Sequence, residues 1–249
     1  MNIKKHIPNA LTCCNLVCGV YGIHIVVMAT PDNLKQSLTI ALTAILVAAA
    51  ADFLDGFAAR LLKASSPIGK ELDSLADLVS FGVLPGFILV KLIEANPIEA
   101  LSGSPIGPLL PYIAYLVPVF SALRLAKFNI DTRQNDSFIG MPTPAFTLFI
   151  AGIAYIFVQE QRTLSFLAHP IALVGYASLG ALLLISELPL IALKFKHAQW
   201  KGNETRYLLI FSSFILLIVL KLTAIPIILI LYLLLSFIEF IKKKTPKST

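Results

Sequence analysis

The sequence predicts an all-α polytopic membrane protein with about eight transmembrane helices. Three observations carry that class. The 249 residues are 57% hydrophobic and 14% charged, with a mean hydropathy of +0.83, whereas soluble domains carry about 25% charged residues. The apolar residues fall into eight runs, about 9–29, 37–62, 72–94, 108–128, 143–159, 169–187, 206–221 and 224–241. Most approach the ~20 residues needed to cross ~30 Å of hydrocarbon. The third observation is charge asymmetry. Of the 20 Lys and Arg, only Lys35, Lys91, Arg162 and Lys221 fall on the side opposite the amino terminus. Positive charge collects on the cytoplasmic side of membrane proteins, so both termini are expected there. The net charge of +6 then reflects topology and attraction to anionic lipid. Nothing suggests a nucleic-acid module or a second, soluble domain.

The first run follows Lys4 and Lys5, a start that resembles a signal peptide. Asn9, Thr12 and Asn15 interrupt it, and no small-x-small cleavage site closes it. It therefore reads as a retained span. Pro8 and Asn9 suit a helix start. Asn15 lies two turns in, where an amide wants a polar partner: a ligand or a neighbouring helix. Cys13, Cys14 and Cys18 read as small buried thiols, with no disulfide framework.

The second and third runs flank the most informative stretch, Asp52 to Asp77. A carboxylate at the centre of a membrane helix costs roughly 2.5–3.5 kcal/mol, and four stand here: Asp52, Asp55, Asp73 and Asp77. The first two are three residues apart and the last two four apart, so each pair shares a helix face. Ser65, Ser66, Pro67 and Gly69 favour a turn between them. Two antiparallel helices would then present the pairs to each other. Bound cations would relieve the repulsion, and a set of hard oxygens suits Mg²⁺, Mn²⁺ or Ca²⁺. Gly56 and Ala59 leave the adjacent helix surface bare, and Arg60 offers a planar fork suited to phosphate. The competing reading is a buried ionic network, which would need as many cations as carboxylates. Only Arg60, Lys63 and Lys70 are near in sequence.

The fourth run ends in Arg124, Lys127, Asn129, Asp131 and Arg133, and Gly140-Met141-Pro142-Thr143-Pro144-Ala145 opens the short fifth run. That many cations exceeds what topology alone requires. The sixth run leads through Ser186 and Glu187 towards Lys194. The seventh and eighth are split only by Lys221-Leu222-Thr223, as in a tight hairpin.

The spacing D-x-x-D-G-x-x-A-R-x8-G-x3-D-x3-D is similar to the signature of the CDP-alcohol phosphatidyltransferases. Asp52, Asp55, Gly56, Ala59, Arg60, Gly69, Asp73 and Asp77 fill every fixed position. The opening P-N-x-L-T-x-x-N at Pro8–Asn15 and the runs near 124–145 resemble segments of integral-membrane phosphatidylserine synthases. Lys127 stands where those have a second Arg, and Met141 where they have Leu. The 184–194 segment matches weakly and lacks the family's aromatic. The resemblance implies a six-helix catalytic domain over 1–196, a C-terminal hairpin and basic tail over 197–249, and a homodimer. It implies transfer of a phosphatidyl group from CDP-diacylglycerol to L-serine, with release of CMP. Asp52, Asp55, Asp73 and Asp77 would hold divalent metal, Mg²⁺ or Mn²⁺, and Asp77 would also be the general base. Asn15, Gly56, Ala59, Arg60 and Gly69 would shape the CDP pocket. Arg124, Lys127, Asn129 and Arg133 would face the lipid phosphate or serine. Two alternatives remain at this point: a sister transferase taking glycerol 3-phosphate or an inositol phosphate, and an ion-coupled transporter.

Overall fold

The computed structural model describes residues 6–64, 66–98, 101, 103–131, 138–191, 199–200 and 203–244. Arg133, Lys194 and the Lys4–Lys5 pair lie outside these residues, as does the expected domain boundary near 196. Every one of the eight apolar runs corresponds to helix. Among the described residues, five helical stretches are long and apolar enough to cross a membrane, or six counting a bent pair.

Helix α1 (His6–Val27) and helix α2 (Leu34–Leu61) form an antiparallel pair. Buried positions on α1 are Pro8, Thr12, Asn15, Gly19, Gly22 and Val26, alternating four and three apart. That is the seam of one helix lying along another. On α2 the matching seam is rich in alanine: Ala41, Ala44, Ala48 and Ala51, ending in Asp55. Small side chains let backbones approach closely, the main source of helix association where lipid is as apolar as the core. The seam leaves Cys13 and Cys14 on the outer face, where both are exposed. The expectation of buried thiols is thus corrected for these two, because Thr12 and Asn15 occupy the buried positions.

Helix α2 ends in a left-handed turn at Lys63 (φ 49°), with the Ala64 amide donating to the Ala59 carbonyl at 2.9 Å. Helix α3 (Pro67–Asp77) begins five residues before the expected start at 72. The reason is local. Ser66 caps it by accepting from the Gly69 amide at 3.0 Å, and Pro67 occupies the first turn, where its missing N–H costs nothing.

Residues Leu78–Val83 then form a π turn, followed by α4 (Leu84–Ala95). Helix α4 is the centre of the molecule. Leu84, Ile88, Leu89 and Leu92 are fully buried, and Leu38 and Ile45 of α2 belong to the same core. The fourth run enters as a 3-10 segment, Gly107–Tyr115, before α5 (Leu116–Ile130). Pro108 and Pro111 lack the N–H groups of a regular ladder there.

Helix α6 (Thr143–Val158) supplies Phe146, Ile150 and Ile153 to the core. A 3-10 turn, Arg162–Ala168, bends by 50° into α7 (Pro170–Ile185). Strands β1 (Phe138–Ile139) and β2 (Pro189–Leu190) pair antiparallel over two residues, which ties the entry of α6 to the exit of α7. Helices α8 (Glu204–Leu220) and α9 (Ala224–Lys244) pack on each other around the turn at Lys221–Thr223. Helix α9 also packs on α6, and Tyr232 donates to the Ile191 carbonyl at 3.0 Å.

Candidate active site

The two carboxylate pairs meet. Asp52 and Asp55 lie near the end of α2, and Asp73 and Asp77 lie in the second half of α3. Asp52, Asp55 and Asp73 each offer an oxygen within 4.8 Å of the others. Among the described residues, no Lys or Arg forms a salt bridge with any of the four. A buried ionic network would need such partners. Instead the buried Oδ1 of Asp73 has no hydrogen-bond partner among the described residues. An anionic oxygen withdrawn from water and given no donor is costly, and a divalent cation would satisfy it. Three converging hard oxygens fit such an ion.

Helix α1 holds the cluster from one side. The Thr12 hydroxyl donates to Asp55 Oδ2 at 2.5 Å. The Asn15 amide donates to Asp77 Oδ1 at 3.2 Å, and the Asn15 carbonyl accepts from Ser80 Oγ at 2.9 Å. Asn15 is fully buried, and its Oδ1 has no partner among the described residues. Asn15 therefore makes the helix–helix bond and still presents a free acceptor. Asp77 is outside the group of three, but the charges of Asp52, Asp73 and Asp55 act on it. Sequence reasoning missed Thr12 as a site residue. Its signal was a hydroxyl on the same face as Asn15, one turn earlier.

A pocket of about 200 Å³ opens beside the cluster, lined among others by Thr12, Asp55, Gly56, Ala59, Gly69, Lys70 and Asp73. A Cβ at Gly56 would meet only the tip of Arg60, at 3.7 Å. No protein packing demands glycine there; the space it leaves belongs to the pocket. Arg60 itself is exposed.

The cationic run is arranged differently from a single patch. Arg124 is buried; it donates to Thr143 Oγ1 at 3.3 Å and lies 5.4 Å over the Phe128 ring. It also lies within electrostatic reach of Asp77. Arg124 and Lys127 line a separate small cavity of about 30 Å³ with Ser186 and Glu187. Asn129 points back to α3, donating to Ser74 Oγ at 2.8 Å, while Lys70 donates to the Asn129 carbonyl at 3.1 Å. That pair of bonds docks the end of α5 onto α3.

Residues 5–191 match the family model described as CDP-alcohol phosphatidyltransferase. The chain is 35% identical over 200 residues to a protein of Bacillus subtilis, covering 80% of this chain and 95% of that one. It is 33% identical over 197 residues to a protein of Helicobacter pylori, covering 76% and 75%. Against a protein of Saccharomyces cerevisiae the figures are 32% over 193 residues, covering 69% and 65%. All three relatives are named CDP-diacylglycerol–serine O-phosphatidyltransferase.

Proposed function

The chain belongs to the CDP-alcohol phosphatidyltransferases, and from that premise we propose that it transfers the phosphatidyl group of CDP-diacylglycerol to L-serine, releasing CMP. It is an integral-membrane enzyme of phospholipid synthesis. The observation that carries the chemistry is the convergence of Asp52, Asp55 and Asp73 within 4.8 Å beside a pocket that Gly56 leaves open. Asp52, Asp55 and Asp73, with Asp77, would hold one or two divalent cations, Mg²⁺ or Mn²⁺, with Ca²⁺ also suited to such a set. When bound, the cations neutralise the diphosphate and the departing CMP.

The remaining roles fall to the chain. Asp77 takes the proton of the serine hydroxyl as its oxygen forms a bond to the phosphorus that carries diacylglycerol. The bond from that phosphorus to the bridging oxygen breaks, and CMP leaves with the electron pair. Asn15, Gly56, Ala59, Arg60 and Gly69 form the CDP pocket. Arg124, Lys127, Asn129 and Arg133 meet the lipid phosphate or the serine carboxylate. The site opens to the cytoplasm, a reading supported by the excess of Lys and Arg on that side. The working unit is a homodimer; crosslinking in native membranes that returns monomer alone would remove that part.

The deciding assay measures CMP release from CDP-diacylglycerol with L-serine, glycerol 3-phosphate and an inositol phosphate in turn. Release with serine alone is expected. Equal release with another alcohol would overturn the acceptor, and no release with any of them would overturn the transferase reading.

A further inference from the structure

Directly after Asp77 the helix leaves α geometry. The cause stands about two turns after Asp77. Pro85 has no N–H, and in an α-helix residue 85 would be the donor for the carbonyl of Phe81. In a regular α-helix its ring would also clash with that carbonyl. The backbone opens into the π turn of Leu78–Val83, with the Leu84 amide reaching back five residues to the Val79 carbonyl. Single π turns inside α-helices recur at functional sites. This one rotates the two halves of the span against each other. Asp73 and Asp77 face the carboxylate cluster on one side of it, and Leu84, Ile88 and Leu92 face the core on the other.

The carbonyl that Pro85 cannot serve in α register has a side-chain donor. Thr147 of α6, fully buried, donates its hydroxyl to Phe81 O at 2.7 Å. The ordinary use of a threonine in an apolar helix is a bond to the carbonyl one turn back, and Thr143 O lies 2.9 Å away. The hydroxyl therefore has two carbonyls in reach, one across the helix interface and one within its own helix. On the opposite side, Ser80 Oγ holds the Asn15 carbonyl, so α1 and α6 grip the π turn between them.

We propose that Thr147 is a positioning residue for Asp77, its hydroxyl on the Phe81 carbonyl setting the helical phase in which Asp77 faces the carboxylate cluster. This rests on the role of Asp77 as base given above. Thr147 touches no substrate; it acts through the backbone of residues 78–83.

The test uses the full chain in lipid vesicles containing CDP-diacylglycerol, with Thr147→Val, Thr147→Ser and Asp77→Asn compared with the parent. Valine keeps the shape and removes the donor; serine keeps the donor. Two readouts are taken: steady-state kinetics in both substrates, and Mn²⁺ affinity by spin-resonance titration without serine. Thr147→Val is expected to lower kcat on the order of tenfold to a hundredfold, the scale of a misplaced catalytic group. KM for CDP-diacylglycerol should stay near parental, Mn²⁺ affinity should fall far less than kcat because Asp52, Asp55 and Asp73 remain together, and Thr147→Ser should restore kcat. A parental kcat in Thr147→Val, a matching loss of Mn²⁺ affinity, or no rescue by serine would overturn the proposal. If the valine variant fails to accumulate, Thr147→Cys replaces it: a weak donor should give an intermediate kcat at parental melting temperature, and a parental kcat overturns the proposal. Asp77→Asn separates the two readings. If it abolishes turnover while Thr147→Val keeps the parental kcat, positioning fails and the base stands. If it retains turnover, both fall.

Discussion

Four carboxylates of one residue type occupy different situations at this site, and their variants should behave differently. Asp55 is a buried ligand candidate held by Thr12, whereas Asp77 is held by Asn15 at the edge of the group of three. Asp77→Asn should keep CDP-diacylglycerol binding and lose turnover. Asp55→Asn should lose metal-dependent binding as well, because an amide is a poor ligand for a hard cation. Binding and turnover measured separately decide this; equal loss of binding in both would deny Asp77 its separate role. Arg124 is the candidate for the acceptor contact. Its Nε is buried without a hydrogen-bond partner among the described residues, and a guanidinium grips a carboxylate in two places. Arg124→Leu should raise the KM for serine more than that for CDP-diacylglycerol. A parental serine KM would place the acceptor contact elsewhere.

At the scale of the helix, two glycines make opposite demands. A Cβ at Gly19 of α1 would lie 2.4 Å from Ser80 Oγ and 2.9 Å from Ser80 Cα. Side chain and backbone both block it, so Gly19→Ala must push α1 away from the π turn. Overpacking of this kind costs about 1–3 kcal/mol, and a lower melting temperature is expected in a detergent thermal-unfolding assay. At Gly56 of α2 the added methyl meets only Arg60. Gly56→Ala should leave the melting temperature unchanged and raise the KM for CDP-diacylglycerol, since the methyl fills pocket space. The reverse pattern would mean that Gly56 serves packing and Gly19 the ligand. The α1–α2 seam also shows why the cysteine expectation failed. All of α1 is apolar enough for lipid, so hydropathy does not distinguish the face towards α2 from the face towards acyl chains. The four-three spacing of Thr12, Asn15, Gly19 and Gly22 was the usable signal.

For the molecule as a whole, the excess of Lys and Arg on one side of the membrane sets the expected orientation. Lys63 follows α2 in the turn beside the carboxylates, and Lys221 sits in the turn between α8 and α9. In a chain with Cys13, Cys14 and Cys18 replaced by serine, Lys221→Cys should react with an impermeant maleimide in intact cells. Lys63→Cys should react only after permeabilisation. The opposite result would invert the orientation and turn the active site outward. Outside the bilayer core, Lys35 at the start of α2 pairs with Glu160 beyond the end of α6, and that ion pair holds Glu160 below its ordinary carboxylate pKa. The pair is exposed and contributes little to stability.

The sequence by itself determined the helical membrane class, the eight apolar runs and the carboxylate cluster. Each follows from short-range physics: hydrocarbon thickness sets run length, and helical pitch sets which aspartates share a face. The family signature was legible for the same reason, since D-x-x-D and D-x3-D are helix-face spacings joined by a turn of fixed length. Tertiary structure alone decided the partners of Thr12 and Asn15, the burial of Arg124 and the docking of Asn129 on Ser74. It also decided which face of each apolar helix turns inward. Water does not sort those faces inside a bilayer, because lipid tails and protein core are equally apolar. Close packing and the need of each buried polar atom for a partner sort them instead, and both depend on residues distant in the chain. Pro85 and Thr147 show the limit most clearly: the proline announces that a carbonyl will lose its donor, but only the packing of α6 against the π turn reveals which hydroxyl supplies another.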